Sequence, residues 1–194
     1  MSPQPQLPLL ARDLIARVQE AAEHWSRRIR HGVDVVEIGQ FRHVDHDNAS
    51  FLQLVLADHG WPGHRLVGVD GCRAAWRIAL HADRFDLQRA AVRLLHRAVA
   101  EGDAPGWQEV HLQDRALIMG AQAQEWGTQY QITPTGLQRC SVREPAGLDA
   151  RRASVGLPPA ATAMAALLDR LAVSRQAADP TDGVDGLLPL AGAA

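Results

Sequence analysis

The chain has 194 residues, about 21 kDa, with 46% hydrophobic and 22% charged side chains, enough for one domain whose core needs no staples. Its 20 basic and 22 acidic residues give a formal charge of −2, which argues against nucleic acid as a partner, because such proteins carry a basic excess. No apolar run reaches the roughly 18 residues that span a bilayer, Met1 to Gln6 lacks the pattern of a secretory leader, and Cys72 and Cys140 alone make neither a disulfide scaffold nor a thiolate zinc site.

A cytoplasmic protein with no membrane contact is therefore expected. All 20 basic residues are arginine, a bias that reads as the composition of a GC-rich genome. It has a chemical consequence all the same: with no lysine, Schiff-base, pyridoxal-phosphate and P-loop chemistry are excluded.

Residues 1–8, rich in Pro and Gln, read as a loose lead-in. From Leu10 to Arg30, the residues Leu14, Val18, Ala21, Ala22, Trp25 and Ile29 recur at three- and four-residue steps and predict an amphipathic helix that Gly32 ends. A second helix is expected from Asp47 to His59, capped by Asp45 or Asp47, striped by Leu52, Val55 and Leu56, and stopped by Gly60. Trp61-Pro62-Gly63 is a turn leading into a loop that reaches Asp70.

Short helix three, Asp70 to Ala82, is followed by a fourth from Arg84 to Ala100. Asp103-Ala104-Pro105 opens a fifth that runs from Gly106 to about Leu117. The period then changes to two: Trp126, Thr128, Tyr130 and Ile132 alternate with Gly127, Gln129 and Gln131, which predicts a strand. Thr133-Pro134-Thr135-Gly136 turns it back into a partner from Leu137 to Val142, and a last helix spans Ala160 to Gln176. The expected architecture is mainly α, one domain over 9–176 of five to six helices with a small β-hairpin near 124–142, and residues 177–194 a flexible tail.

Candidate site residues are the polar side chains on faces that the pattern reserves for apolar ones. Asp114 shares its helix face with Trp107, Val110 and Leu117, and a buried carboxylate is costly unless paired. Arg115 is adjacent, about 100° around the helix, and His111 flanks Asp114 one turn back. His81 belongs to a helix apolar on two sides, beside Trp76. Gln129 lies on the strand face opposite Trp126 and Tyr130, with Gln124 upstream, and an amide both donates and accepts. His43 and His46 cluster with Asp45 and Asp47, while His59 and His64 flank the Trp61 turn. There is no HExxH, GxSxG, GxGxxG or Walker pattern.

Several segments taken together resemble a bacterial family known as domain of unknown function 6624. They are Asp45-His46-Asp47-Asn48, Gly60-Trp61-Pro62 with Gly68, His81-Ala82-Asp83 with Gln88, Asp114-Arg115, Gln124 through Gln129, and Gly156-Leu157-Pro158-Pro159, spread over residues 35–160. Trp126 stands where tyrosine is common in that family, Ala123 where proline is, and Leu80 where a polar residue is. The resemblance implies no activity. It implies only that a site lies among His81, Asp114, Arg115 and Gln129.

The function expected from these residues is that of a small, cofactor-independent acid/base enzyme acting on a small-molecule substrate. His81 transfers the proton, Asp114 orients it, and Arg115 holds a substrate carboxylate or an oxyanion. Gln124 and Gln129 fix the substrate, Trp61, Trp76 and Trp126 wall the pocket, and His59 stands near its mouth. Cyclisation, isomerisation, dehydration or hydrolysis of an apolar or aromatic natural-product intermediate would suit such a pocket. Two other readings stay open: a non-enzymatic ligand- or peptide-binding protein in which the same polar residues tie the hairpin to the helices, and a metal-dependent hydrolase built on His43, His46 or His59. The oligomeric state is not legible.

Overall fold

The stripe of Leu14, Val18, Ala21 and Ala22 is buried as its spacing demands, and it turns the first helix, α1 (Pro8–His31), onto its neighbours. The computed structural model describes residues 4–31, 35–133, 136–176 and 187–188. Gly32, and the side chains of Trp25 and Ile29, lie outside what it describes. Helix α2 (Val35–His59) starts 12 residues before the expected Asp47. The polar run that looked like a capping region is internal to it: Asp45 is buried, and Asn48 accepts a hydrogen bond from Arg17 Nη1 of α1 at 3.1 Å. Arg17 also lies over the Phe51 ring, 4.1 Å from its centroid. Asn48 thus spends its oxygen on tying two helices together and not on a helix end.

Helix α3 (His64–His81) has a break at Gly68, where φ is +75° and ψ 176°. Such a conformation is open to glycine and strained for other residues. The segment from Asp70 to His81 is the helix expected, while His64 to Val67 adds a turn where a loop was expected. Carbonyls of that first turn are taken by the N-terminal lead-in: Gln6 N–H donates to Arg65 O at 3.1 Å and Leu7 N–H to Leu66 O at 2.8 Å. One turn on, Gly71 lets α1 approach, since a Cβ there would stand 3.3 Å from Ala11 Cα and 2.7 Å from its own helix's Val67 Cβ.

Helices α4 (Phe85–Ala100) and α5 (Gly106–Met119) fall within a residue or two of expectation. With α1 to α3 they enclose the main core, in which Leu14, Leu52, Trp76, Ile78, Leu95 and Leu112 are all but fully buried. Truncating any of the leucines to alanine costs about 2–5 kcal/mol.

The hairpin is shorter than its alternation suggests. Strand β1 (Tyr130–Thr133) pairs antiparallel with β2 (Gly136–Arg139), Tyr130 opposite Arg139, so the residues from Trp126 to Gln129 are not strand. The Trp126 and Thr128 amides are committed to Asp114 of α5, and that of Gln129 to the Gln124 side chain, instead of to a ladder. Leu187–Leu188 (β3) pairs parallel with β1, opposite Tyr130 and Gln131, inside the stretch expected to be a tail. The rest of 177–194 lies outside the described residues. A 3₁₀ turn (Pro145–Gly147) leads to a helix missing from the sequence reading, α6 (Leu148–Ser154). Helix α7 (Ala160–Gln176) lies where expected, and Asp149 of α6 accepts from its first amide, that of Ala160, at 2.8 Å. Leu167 and Leu171 of α7 pack with Tyr130 in a second, smaller apolar cluster. The protein is mainly α, with seven α-helices among the described residues and an antiparallel hairpin.

Candidate functional site

Helix α5 delivers Asp114 to the segment between Gln124 and Gln129, and the carboxylate organises it. Asp114 Oδ1 accepts from the amides of Glu125 (2.7 Å) and Trp126 (3.1 Å), and Oδ2 from the amide and the hydroxyl of Thr128, both at 2.9 Å. The residue is fully buried. Burial pushes its carboxyl above the usual range while the donors from Thr128, Trp126 and Glu125 pull it down, and burial is the larger influence.

Gln124 completes the loop from within. Its Nε2 donates to the carbonyls of Gln129 (3.0 Å) and Cys140 (2.9 Å), and its Oε1 accepts from the Gln129 amide (2.8 Å). Gln129 Nε2 reaches the His111 carbonyl (3.2 Å) and Thr128 Oγ1 (3.1 Å). Gly127, at φ +65°, makes the turn and leaves the space that Leu148 and Arg139 fill. From α6, Arg152 Nη1 donates to Trp126 O and its Nε to Pro158 O, each at 2.6 Å.

Arg115 faces the other way. Its Nε donates to Leu80 O (3.1 Å), and Gln88 Nε2 donates to the carbonyls of Ala79 (3.2 Å) and Ala82 (2.9 Å). Together they satisfy the last carbonyls of α3, which a helix end leaves open. His81 is the last residue of that helix, half-buried, one position after the carbonyl that Arg115 holds. Of the nine residues expected in one pocket, Asp114, Gln124, Trp126 and Gln129 come together around the 124–129 backbone. Arg115 and His81 meet at the α3 terminus. None of Asp114's described hydrogen bonds goes to His81.

Trp76 is buried in the core. Its Nε1 donates to Gln108 O at 2.9 Å, and its ring meets Trp107 edge-to-face at 4.8 Å and His111 at 6.0 Å. Trp61 and His59 are elsewhere again, at the beginning of α3. They are separated from His81 by that helix's own length, roughly 25 Å at 1.5 Å per residue. There they line a hollow of about 340 Å³ together with Gln6, Arg65, Leu66, Leu94, Arg97, Glu101 and Asp103.

Asp103 sets the geometry of this cleft. Gly63 begins α3 without a side chain to cap it, and Asp103 Oδ1 takes the Arg65 amide at 2.8 Å in its place. The fit demands glycine, because a Cβ at Gly63 would stand 2.1 Å from Asp103 Oδ2. The Arg65 guanidinium is bound by Glu101 (2.9 Å) and Asp103 (3.4 Å), so both acids are occupied. The Arg97 side chain, exposed at the lining of the cleft, has no hydrogen bond or ion pair among the described residues.

Sequence reasoning passed over Arg97, Asp103 and Arg152. Arg97 lies on a helix's polar face and Asp103 in a helix-start signal, where each has an ordinary explanation. Arg152 lies in a stretch with no periodicity, and no sequence signal marks it. Cys72 is buried, which pushes its thiol up to about 11 despite the neighbouring Trp61 N–H. His43, His46 and His59 are exposed, and among the described residues no three His, Cys, Asp or Glu side chains are grouped to hold a metal.

No curated protein and no solved structure matches the chain. A family model does match it, over residues 11–175, a span that takes in the cleft from His59 to Asp103 and the whole of the Asp114 loop. The chain belongs to that family, DUF6624, a family of unknown function.

Proposed function

We propose that the protein binds a small organic acid, with an apolar body, in the cleft at the start of α3, and that it does so as a binding protein. The observation that carries this reading is the hollow of about 340 Å³ with one uncommitted cation, Arg97, on its wall. Its size falls at the lower end of the roughly 300–1,000 Å³ typical of metabolite sites. Leu66, Leu94 and Trp61 offer the apolar surface, Arg97 the charge for a carboxylate, and His59 and Gln6 further polar contacts. Arg65 offsets one of the two negative charges of Glu101 and Asp103, and Arg97 balances the other, so the cleft is neutral before an acid enters.

Acid/base catalysis has weaker support. The expected arrangement needs Asp114 to orient His81, and the oxygens of Asp114 are filled by Glu125, Trp126 and Thr128. A buried carboxylate bonded to three amides of one loop holds that loop in place.

The test is a panel of aromatic and aliphatic carboxylic acids followed by protein-observed NMR. Acids that bind should shift the amides of His59, Leu66 and Arg97 saturably. Arg97→Ala should weaken them about 10- to 100-fold, the worth of a charge-assisted hydrogen bond, with the melting temperature unchanged. The reading fails if no acid moves the cleft amides, or if Arg97→Ala binds as the parent does. Conversion of a bound acid to product would restore the enzymatic reading.

A further inference from the structure

The break in α3 at Gly68 frees two carbonyls for another segment to use. In an unbroken helix Arg65 O and Leu66 O would accept from the amides of Val69 and Asp70, which lie beyond Gly68. The lead-in takes them instead: Gln6 N–H donates to Arg65 O at 3.1 Å and Leu7 N–H to Leu66 O at 2.8 Å. Pro5 closes on Gly68 itself, where a Cβ would stand 3.4 Å from the proline ring. Residues 5–7 are thus a strap pinned across the first turn of α3. Leu7 O then accepts from the Ala11 amide at 3.1 Å, which joins the strap to α1.

The strap puts one polar side chain into the cleft. Gln6 lines the hollow with Trp61, Arg65 and Arg97, and its side-chain amide is exposed, with no hydrogen bond among the described residues. Arg65 and Arg97 balance Glu101 and Asp103, so a monocarboxylic acid adds one negative charge to a neutral cleft and a dicarboxylic acid adds two. Gln6 brings no charge to offset the second. It brings a donor and an acceptor on one group, which is the complement of a hydroxyl. Its main chain is already pinned by the bonds at Gln6 and Leu7, so little further ordering is needed for the side chain to meet a ligand.

We infer that the strap closes the cleft over its ligand and that Gln6 selects monocarboxylic acids bearing a hydroxyl over plain acids and over dicarboxylates. The inference rests on the acid-binding reading above and adds to it the class of acid. Gln6 is held at the cleft by the strap's bonds to α3, so binding of a hydroxy acid and docking of the strap strengthen each other by the same factor.

The full chain is titrated with 3-phenylpropanoate, with its 2-hydroxy, 3-hydroxy and ring 4-hydroxy derivatives, and with phenylsuccinate. Affinity is read from the cleft amides by NMR, and hydrogen exchange of the Leu7 amide is followed at saturation. At least one hydroxylated acid should bind about 3- to 10-fold tighter than 3-phenylpropanoate, the worth of one neutral hydrogen bond, and phenylsuccinate should bind more weakly than either. That hydroxylated acid should also slow Leu7 exchange by about the same factor relative to the plain acid. Gln6→Ala, at an exposed position, should leave the melting temperature unchanged, equalise the two acids and abolish the extra slowing at Leu7. Arg97→Ala should weaken both acids alike and preserve their ratio, which separates this inference from the reading beneath it.

With acid binding intact, the inference is overturned if every hydroxylated acid binds within about twofold of the plain one, or if phenylsuccinate binds tightest. It is equally overturned if the preference survives in Gln6→Ala, which would assign the hydroxyl to another group of the wall, or if Leu7 exchanges alike with both acids. If none of these acids moves the cleft amides, the acid-binding reading and this inference fall together.

Discussion

Asp114→Asn keeps the shape of a side chain on which a whole loop hangs and replaces one of its two acceptors by a donor. The carboxylate receives three amides and one hydroxyl. Its replacement would turn the new NH₂ group toward Thr128, whose hydroxyl can rotate to accept, but whose amide would then face another donor. The charge assistance of the remaining bonds would also be lost. Two charge-assisted bonds at about 1.5–3 kcal/mol each come to about 3–6 kcal/mol. Relief from burying a charge returns about 1–2 kcal/mol of that.

The net expectation is a loss of about 2–4 kcal/mol, or a melting temperature lower by about 4–16 °C for a domain of this size. Urea unfolding of the two proteins measures the difference, and amide hydrogen exchange locates it: Glu125, Trp126 and Thr128 should lose protection first. A change below about 1 kcal/mol, with those amides still protected, would refute the assignment of Asp114 as the anchor of the loop.

Other consequences are as direct. Burial, with the charges of Arg152 and Arg170, pulls His111 down from 6.5 to about 4. Its contribution to stability is therefore complete above pH 6.5 and is lost as pH falls from 6.5 to about 4, because the unfolded chain takes up the proton first. At about 1.4 kcal/mol per unit the loss reaches about 3 kcal/mol, and His111→Asn should lack that component when melting is compared from pH 7 to pH 4.5. Gly63→Ala should displace Asp103 and uncap α3, costing about 1–3 kcal/mol by urea titration and weakening acid binding in the cleft. Gly68→Ala should cost about 1–2 kcal/mol from its left-handed φ alone, again by urea titration. Cys72 and Cys140, both buried with thiols pushed up, should react with a disulfide reagent at pH 8 only once the protein unfolds.

Helical periodicity carried most of the fold into view. Leu14, Val18, Leu87 and Leu95 repeat at helix spacing and are buried where that spacing points, while in α5 the stripe residue Trp107 is exposed and Leu112, off that stripe, is buried. It failed where polar residues continue a helix, as at Asp45 and Asn48 of α2: a side chain engaged with another helix looks the same in sequence as one that caps. It failed again at Trp126 to Gln129, where the alternation is real but the amides go to the side chains of Asp114 and Gln124. The candidate site shows the same division. That Asp114 is buried could be read from Val110 and Leu117, but what it holds could not, because its partners, apart from the Thr128 hydroxyl, are main-chain atoms common to every residue type. The cleft depends on chain segments far apart in sequence, Gln6, Trp61, Arg97 and Asp103, and no periodicity relates them.

The loop from Gln124 to Gln129 is gripped through its peptide groups, and peptide groups do not advertise identity. Glu125 and Trp126 lend Asp114 only their amides, and Trp126 lends Arg152 only its carbonyl. Trp126 can therefore exchange its side chain so long as it does not become proline, while Glu125 is held further by ion pairs of its carboxylate with Arg143 at 2.6 Å and Arg151 at 3.2 Å, and Asp114, Gln124 and Gly127 have almost no substitutes. Diversity on the outward surface of this loop can be varied, by drift or by design, without touching the framework that fixes its path.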